Sequence, residues 1–523
     1  MMDYLWIVVA GGISAFVASM GIGANDVGNA FATSIGSKAL TIKSAVIIAS
    51  VFECAGAILM GSHVTKTIRK DIADYECFKD DPEIFIYGCF CVMCSVSLWL
   101  LAASYLEMPV STTHSCVGGM IGMTLVTGGS DCVIWYKPVD TFPWLGGVSG
   151  IILSWFLSPF LSATISSSIF YLTRLSVLRK ENSFDKTYWS IPIFISLTIT
   201  LNSFFIIYKG GKGIGLDDLS GGIALLISLS LGSLVGLSIV PFIPKMKQRI
   251  HNKFNEPDEP DEHDESDEPD ESDESDEPDE PDDLVDNEPI NDNQDNHKKN
   301  KSCKCINHVK ENINYDVNKI KVGKVKEIHD DAEVFDPKTE ESFKYLQIFT
   351  AICGSFSHGA NDVANAVGPY AAIVSIYMND GEMSQEVTMD SYGYAILSLG
   401  GIGISLGLLL YGYKIIKAIG VKLCCITPSR GFAIELGSAS IVIIGSRFGI
   451  PLSTTHCQVG ATIGVAALED TKKCSGINWS VVSRVCFGWI ITLIVVGGTT
   501  SVLVLQGINA PSYNNDCYLN TTT

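Results

Sequence analysis

The sequence predicts an all-α integral membrane protein of about twelve transmembrane helices. They form two inverted-topology repeats, with broken helices or re-entrant hairpins at mid-membrane. Three observations predict it. Apolar residues, 47% of the 523, are gathered into blocks long enough to span the ~30 Å hydrocarbon core of a bilayer. Two uncommon motifs each occur twice, in the same order. Lys and Arg collect in loops that fall on one side of the membrane when the crossings are counted.

The blocks are Ile47–Met60, Ile84–Leu106, Leu145–Leu172, Ile191–Tyr208, Gly221–Ile243, Tyr394–Tyr413 and Val481–Leu505. None has the 3.6-residue stripe of a soluble amphipathic helix. The N-terminus has no basic region before its first apolar run, so it reads as the start of a membrane segment and not as a cleaved signal. Cysteines such as Cys54, Cys89, Cys91, Cys94, Cys353 and Cys486 lie inside apolar blocks and read as small packing residues. Cys303-x-Cys305 is too little for a zinc site.

The net charge of −21 belongs to one tract. Residues 256–283 hold 19 Asp and Glu with no Lys or Arg, leaving about −2 for the rest. Repeats of Asp-Glu-Pro and Asp-Glu-Ser cannot bury a core and are expected to be disordered. The tract reads as a tolerated insertion, a cation buffer or a partner tail. No basic domain points to nucleic acid.

The halves on either side of this loop resemble each other. Gly23-Ala24-Asn25-Asp26-Val27-Gly28-Asn29-Ala30 recurs as Gly359-Ala360-Asn361-Asp362-Val363-Ala364-Asn365-Ala366, identical at seven of eight positions. Pro109-Val110-Ser111-Thr112-Thr113-His114 recurs as Pro451-Leu452-Ser453-Thr454-Thr455-His456. Asp26 precedes Ser111 by 85 residues and Asp362 precedes Ser453 by 91. The organisation is therefore 1–243 (first repeat at about 5–172 plus two extra helices), a loop at 244–344, the second half at 345–507 and a tail at 508–523.

Lys245, Lys247, Arg249 and Lys253 place the large loop in the cytoplasm. Arg174, Arg179 and Lys180, and then Lys414, Lys417, Lys422 and Arg430, mark two further cytoplasmic loops. Counting the Ser-Thr-Thr-His stretches as crossings gives seven in the first half and five in the second, with both termini outside. If those stretches re-enter instead, the count changes. Equivalent segments run in opposite directions, the inverted repeat of secondary transporters.

A carboxylate at mid-membrane costs about 2.5–3.5 kcal/mol on insertion scales and usually faces a partner or a wet cavity. Gly and Asn weaken the helix around Asp26 and Asp362 and free carbonyl groups. These carboxylates, with Asn25, Asn29, Asn361 and Asn365, are hard oxygen ligands for coupling cations. Glu53 and Glu435, not equivalent in the repeat, read as further buried ion ligands.

Pro-x-Ser-Thr-Thr-His opens a helix in mid-membrane. Ser111, Thr112 and Thr113, and Ser453, Thr454 and Thr455, put hydroxyls beside free N–H groups at two helix N-termini, which suits an oxyanion. His114 and His456 are expected to hold the motif by hydrogen bonds. No Gly-x-Ser-x-Gly elbow accompanies the serines, so an enzyme is not expected. His358 could titrate near neutrality, but its first-half counterpart is Ile22, so any role is one-sided.

These paired motifs resemble the inorganic phosphate transporter (PiT) family, the type III sodium–phosphate symporters, over roughly 5–172 and 345–506. The resemblance implies phosphate symport with sodium or protons, no resident cofactor, and a multi-pass protein of the plasma membrane with a cytoplasmic loop. It also implies ion coupling at Asp26 and Asp362, phosphate contact at Ser111–Thr113 and Ser453–Thr455, and a requirement for Glu53 and Glu435. The acidic insertion is similar in composition to loops of apicomplexan members. Sulfate as cargo, an anion channel, a phosphate sensor and a homodimer stay open at this point.

Overall fold

The structure is a computed structural model. It describes residues 4–62, 65, 71–139, 144–208, 219–255, 323–382, 391–469 and 476–510. The acidic tract, the Cys303–Cys305 pair, Lys472, Lys473, most of the C-terminal tail and the side chains of Asn29, Lys414 and Lys417 lie outside the described residues.

The first half contains α1 (Leu5–Ile22), α2 (Ile42–Met60), α3 (Pro82–Tyr105), α4 (Thr112–Thr127), α5 (Gly147–Thr173), α6 (Ser183–Ile207) and α7 (Gly221–Ile239). Polar helices α8 (Ile243–Lys253) and α9 (Lys324–Asp330) flank the large loop. The second half contains α10 (Pro337–Met378), α11 (Ser391–Gly420), α12 (Pro428–Arg447), α13 (Thr454–Ala466) and α14 (Trp479–Asn509). Seven of the described segments are long and apolar enough to cross a membrane on composition alone. The other long helices, such as α10 and α12, carry buried polar side chains that lower their hydropathy.

The two copies of the Gly-Ala-Asn-Asp motif fold differently. Residues Gly23–Val27 form a π-helical turn, followed by short helical pieces Gly28–Ala30 and Ala32–Gly36. Such π-turns free carbonyl groups and concentrate at functional sites. The second copy lies inside the unbroken 42-residue α10. The expectation that Gly and Asn open the helix therefore holds for the first copy and fails for the second. Tertiary contacts on both flanks of residues 359–366 outweigh the weak intrinsic propensity.

The halves interlock. A Cβ on Gly23 would lie 1.8 Å from the carbonyl oxygen of Ile404 on α11, and one on Gly359 would lie 2.2 Å from that of Glu53 on α2. Each motif glycine thus lets its segment touch the backbone of a helix from the other half. The same exchange brings Gly122 of α4 against Gly497 of α14, and Gly464 of α13 against Ala163 of α5.

The Ser-Thr-Thr-His stretches are return legs of hairpins. Helix α3 has 24 residues, about 36 Å at 1.5 Å per residue. Helix α4 has 16 residues, about 24 Å, and reaches its start through residues 108–111 after a turn at Leu106 and Glu107. Its C-terminal Gly128 packs on Cys132 and Phe78, beside the start of α3. Helices α12 and α13 repeat this plan, with Arg430 at the start of α12 bonded to Glu469 just after α13.

Two ends result. At the disulfide end, Cys77 is bonded to Cys132, Tyr4 donates to Glu83 and Arg447 donates to the carbonyl of Tyr208 at 2.5 Å. At the loop end, Arg179 forks onto Glu333 at 2.8 Å through Nε and Nη2. Lys253 reaches Glu341 at 2.7 Å, and Arg430 forks onto Glu469 at 2.8 Å. Basic residues from both halves that the sequence places in the cytoplasm, among them Arg174, Arg179, Lys253 and Arg430, share this end.

Candidate functional site

The short helices α4 and α13 meet N-terminus to N-terminus. Ser111 and Ser453 have extended backbones and cap these helices, each Oγ accepting the N–H of His114 or His456 at 3.3 Å. Thr113 Oγ1 donates to the carbonyl of Leu452 at 2.9 Å, and Thr455 Oγ1 donates to that of Val110 at 3.2 Å. The first-turn N–H groups of both helices have no partner within their own helix. Two positive helix ends are thereby brought together inside the protein.

The asparagines of the repeated motif hold the extended approaches to these helices. Asn25 Oδ1 accepts the N–H of Val110 at 3.0 Å, and its Nδ2 donates to the carbonyl of Met108 at 3.1 Å. Asn361 Nδ2 donates to the carbonyl of Leu452 at 2.9 Å, while its Oδ1 accepts from Ser446 at 3.3 Å. Extended backbone has no ladder partner here, so the amides supply its hydrogen bonds.

The aspartates join the two halves. Asp26 accepts from Thr112 Oγ1 at 2.6 Å and from Thr455 Oγ1 at 3.0 Å, one hydroxyl from each short helix. Asp362 accepts from Thr454 Oγ1 at 2.7 Å and from Asn361 Nδ2 at 2.8 Å. Asn365 donates to Thr112 and Thr113 at 3.2 Å, and its Oδ1 is buried with no donor among the described residues.

Glu53 and Glu435 both pack on α10, at different depths. Glu435 accepts from Thr33 at 2.8 Å, Ser34 at 2.5 Å, Gln347 at 3.2 Å and Thr350 at 2.7 Å. Glu53 accepts from Ser355 at 3.3 Å and lies 3.0 Å from His358 Nδ1. His358 Nε2 is 2.8 Å from Asp362, close but poorly aligned for a hydrogen bond. Gln347, Thr350, Ser355, His358, Asp362 and Asn365 recur every three to five residues, one buried polar stripe along α10.

A cavity borders this site on the loop-end side. Asp26, Phe31, Ser355, His358, Glu435, Ser438, Thr454 and Gln458 are among its walls. Of the residues predicted from the motifs, Asp26, Thr454 and Glu435 face it. Ser111, Thr112, Thr113, Ser453 and Thr455 are buried around the helix N-termini, and Glu53, Asn25, Asn361, Asp362 and Asn365 are buried behind them. The side chain of Asn29 lies outside the described residues.

His456 holds its motif by a hydrogen bond, Nδ1 lying 2.9 Å from the carbonyl of Trp155. His114 departs from the expectation: its Nδ1 has no partner among the described residues, and the ring stacks on Trp155 at 3.7 Å. The sequence reading missed Thr33, Ser34, Gln347 and Thr350 around Glu435. A polar stripe at helical spacing between residues 347 and 358 was the available signal. It also missed the Cys77–Cys132 pair, whose signal was two cysteines in polar stretches outside the apolar blocks.

Residues 22–500 match the phosphate transporter family. The chain is 30% identical to a phosphate-repressible phosphate permease of Neurospora crassa over 98% of each protein. It is 31% identical to a sodium-dependent phosphate transporter of Plasmodium falciparum over 89% of this chain and 86% of that one. It is 27% identical to sodium-dependent phosphate transporter 1 of Mus musculus, over 96% and 95%. A solved structure of a sodium-dependent phosphate transporter aligns with a TM-score of 0.70 and 30% identity, covering 97% of this chain and all of the other.

Proposed function

This chain belongs to the phosphate transporter family, and from that premise we propose that it is a sodium-coupled symporter of inorganic phosphate working by alternating access. One observation carries the reading. Asp26 accepts a hydroxyl from each of the two opposed helix N-termini. A cation bound at Asp26 is therefore felt at once by both halves of the anion site. The N-termini and the hydroxyl protons of Ser111 and Ser453 supply donors for phosphate, while Thr112, Thr113, Thr454 and Thr455 give their protons to Asp26, Asp362 and the approach carbonyls and so hold the two N-termini in place. Asp26, Asp362, Asn365, Glu53 and Glu435 supply hard oxygen for sodium, and Asn25 and Asn361 position the segments between them.

The two halves act as inverted repeats, each lending helices to the other's binding motif. The loop end faces the cytoplasm, where its Arg and Lys residues belong. The disulfide end, with both termini, faces the oxidising exterior, which suits the Cys77–Cys132 bond. The membrane is the plasma membrane, where an inward sodium gradient is available.

The test is uptake of radiolabelled phosphate into proteoliposomes, with sodium and pH gradients imposed separately. An inward sodium gradient at equal pH should drive accumulation. Accumulation driven by a pH gradient and indifferent to sodium would overturn the sodium assignment. Equilibration without accumulation under either gradient would point to a channel.

A further inference from the structure

The cavity on the loop-end side holds a polar group that the repeated motifs do not explain. Gln458 lies one turn beyond Thr454 on α13, so both project from one face. It is 5% exposed, it lines the cavity, and its Nε2 has no hydrogen-bond partner among the described residues. A buried amide without a partner costs free energy unless something else binds there. Its counterpart in the first half is Cys116, buried in the apolar core.

The other walls explain what that something is. Asp26 and Glu435 face the cavity, yet their oxygens already accept hydroxyl protons from Thr112, Thr455, Thr33, Ser34 and Thr350. Thr454 gives its proton to Asp362. An oxyanion entering this space meets carboxylates that repel it, and Thr454 and Ser355, whose protons are engaged by Asp362 and Glu53. The amide of Gln458 still has N–H groups to offer.

We propose that Gln458 is an anion-positioning residue that donates to phosphate in this cavity, forming a one-sided subsite between the central helix N-termini and the loop end. The inference rests on the chain being a phosphate carrier. The subsite exists in the second half alone, so it biases the path on one side of the membrane and not the other.

The test replaces Gln458 by Glu, Leu and Lys in the full-length protein and measures saturation of labelled inorganic phosphate uptake in proteoliposomes. Glu is isosteric with Gln but presents acceptors, Leu removes the donor, and Lys adds a charged donor. The expected order of apparent phosphate affinity is Lys at or above Gln, then Leu, then Glu. Leu should raise the phosphate KM by about 10-fold or more, the loss expected for one hydrogen bond to a charged group. Binding of sodium without phosphate should stay within about two-fold of wild type for Leu. If Gln458→Glu does not accumulate as folded protein, the Leu and Lys pair carries the same comparison. An order that follows side-chain size, or a KM unchanged in both Leu and Lys, overturns the proposal. Failure of the wild type to move phosphate would sink the carrier reading instead, so the two failures are distinct.

Discussion

Thr113 and Thr455 make one hydrogen bond in two mirrored copies: Thr113 donates to the carbonyl of Leu452 and Thr455 to that of Val110, at 2.9 and 3.2 Å. Each short helix is thus fastened to the extended segment that leads into the other. The copies differ at their hydroxyls: Thr455 also donates to Asp26 at 3.0 Å, whereas Thr113 also accepts from Asn365 at 3.2 Å. A hydroxyl has one proton, so the two acceptors of Thr455 share it.

That asymmetry gives the first prediction. Thr113→Val and Thr455→Val should each lower stability by about 1 kcal/mol, the net value of one hydrogen bond. Thr455→Val alone should also alter sodium dependence, because it removes a donor from Asp26. Thermal unfolding in detergent and the sodium saturation curve of uptake check this. Identical sodium curves for the two variants would mean that the Asp26 contact has no functional weight.

The second prediction concerns the caps. Ser453 Oγ accepts the N–H of His456, and its own proton is available to an anion. Ser453→Ala should weaken phosphate by about 1.5–3 kcal/mol and the helix by about 1 kcal/mol. Apparent phosphate affinity and Tm separate the two effects. Unchanged affinity in both Ser111→Ala and Ser453→Ala would move the anion site elsewhere.

The motif residues were legible because each is a polar group in an apolar block, which physics penalises unless it is partnered. The partners were not legible. Glu435 receives Thr33 and Ser34 from about 400 residues away, and no periodicity links residues that distant. Nor does the sequence say why Gly23–Val27 takes a π-turn while residues 359–363 stay α-helical. The backbones packed against the two copies differ, Ile404 against Gly23 and Glu53 against Gly359, and neither is a neighbour in sequence. The disulfide was hidden for a similar reason, since Cys77 and Cys132 meet only once the α3–α4 hairpin closes.

A third prediction follows from the loop-end clamp. Arg430 is buried, forks onto Glu469, donates to the carbonyl of Glu333 at 2.7 Å and lies over Phe335 at 5.3 Å. Arg430→Ala would leave Glu469 a buried, unpaired charge, at a cost of about 3–5 kcal/mol. Arg430→Lys should rescue little, because Lys cannot make the planar fork. Recovery of wild-type Tm in Arg430→Lys would show that charge alone suffices.

The same clamp gives a pH dependence. The two N–H groups of Arg179 hold the Glu333 carboxyl below its ordinary value of 4.5. A carboxyl lowered in the folded state stabilises the fold above its unfolded value and loses that contribution as pH falls through the folded one. The Glu333 side chain is about one-third exposed, at 30%, so screening keeps the effect small. The Tm gap between wild type and Glu333→Gln should therefore be present at pH 7 and close as pH falls well below 4.5. A gap that persists at acid pH would trace to packing of Glu333, not to its charge.

A fifth prediction decides the coupling mechanism. Asp26 and Asp362 hold equivalent positions in the two motifs, yet their surroundings differ. Asp26 faces the cavity and takes one hydroxyl from each short helix. Asp362 is enclosed by Thr454, Asn361 and His358. If each helps to hold one cation, two sodium ions moving with one monovalent phosphate carry net positive charge inward. A membrane potential then adds about 2.3 kcal/mol per charge per 100 mV. The cations also lower the cost of placing an anion among four buried carboxylates, so phosphate should bind poorly without sodium. By linkage, phosphate raises sodium affinity by the same factor. Asp26→Asn and Asp362→Asn should each abolish concentrative uptake while leaving the protein folded, because the amide keeps the shape and removes the charge. Asp26→Asn should perturb sodium binding more directly, since its carboxylate is the one open to the cavity. The measurement is phosphate-induced current in voltage-clamped cells at fixed pH, with external sodium replaced by choline. The current should disappear in choline and return with sodium. A current that survives in choline and grows steeply with acid would assign the coupling to protons.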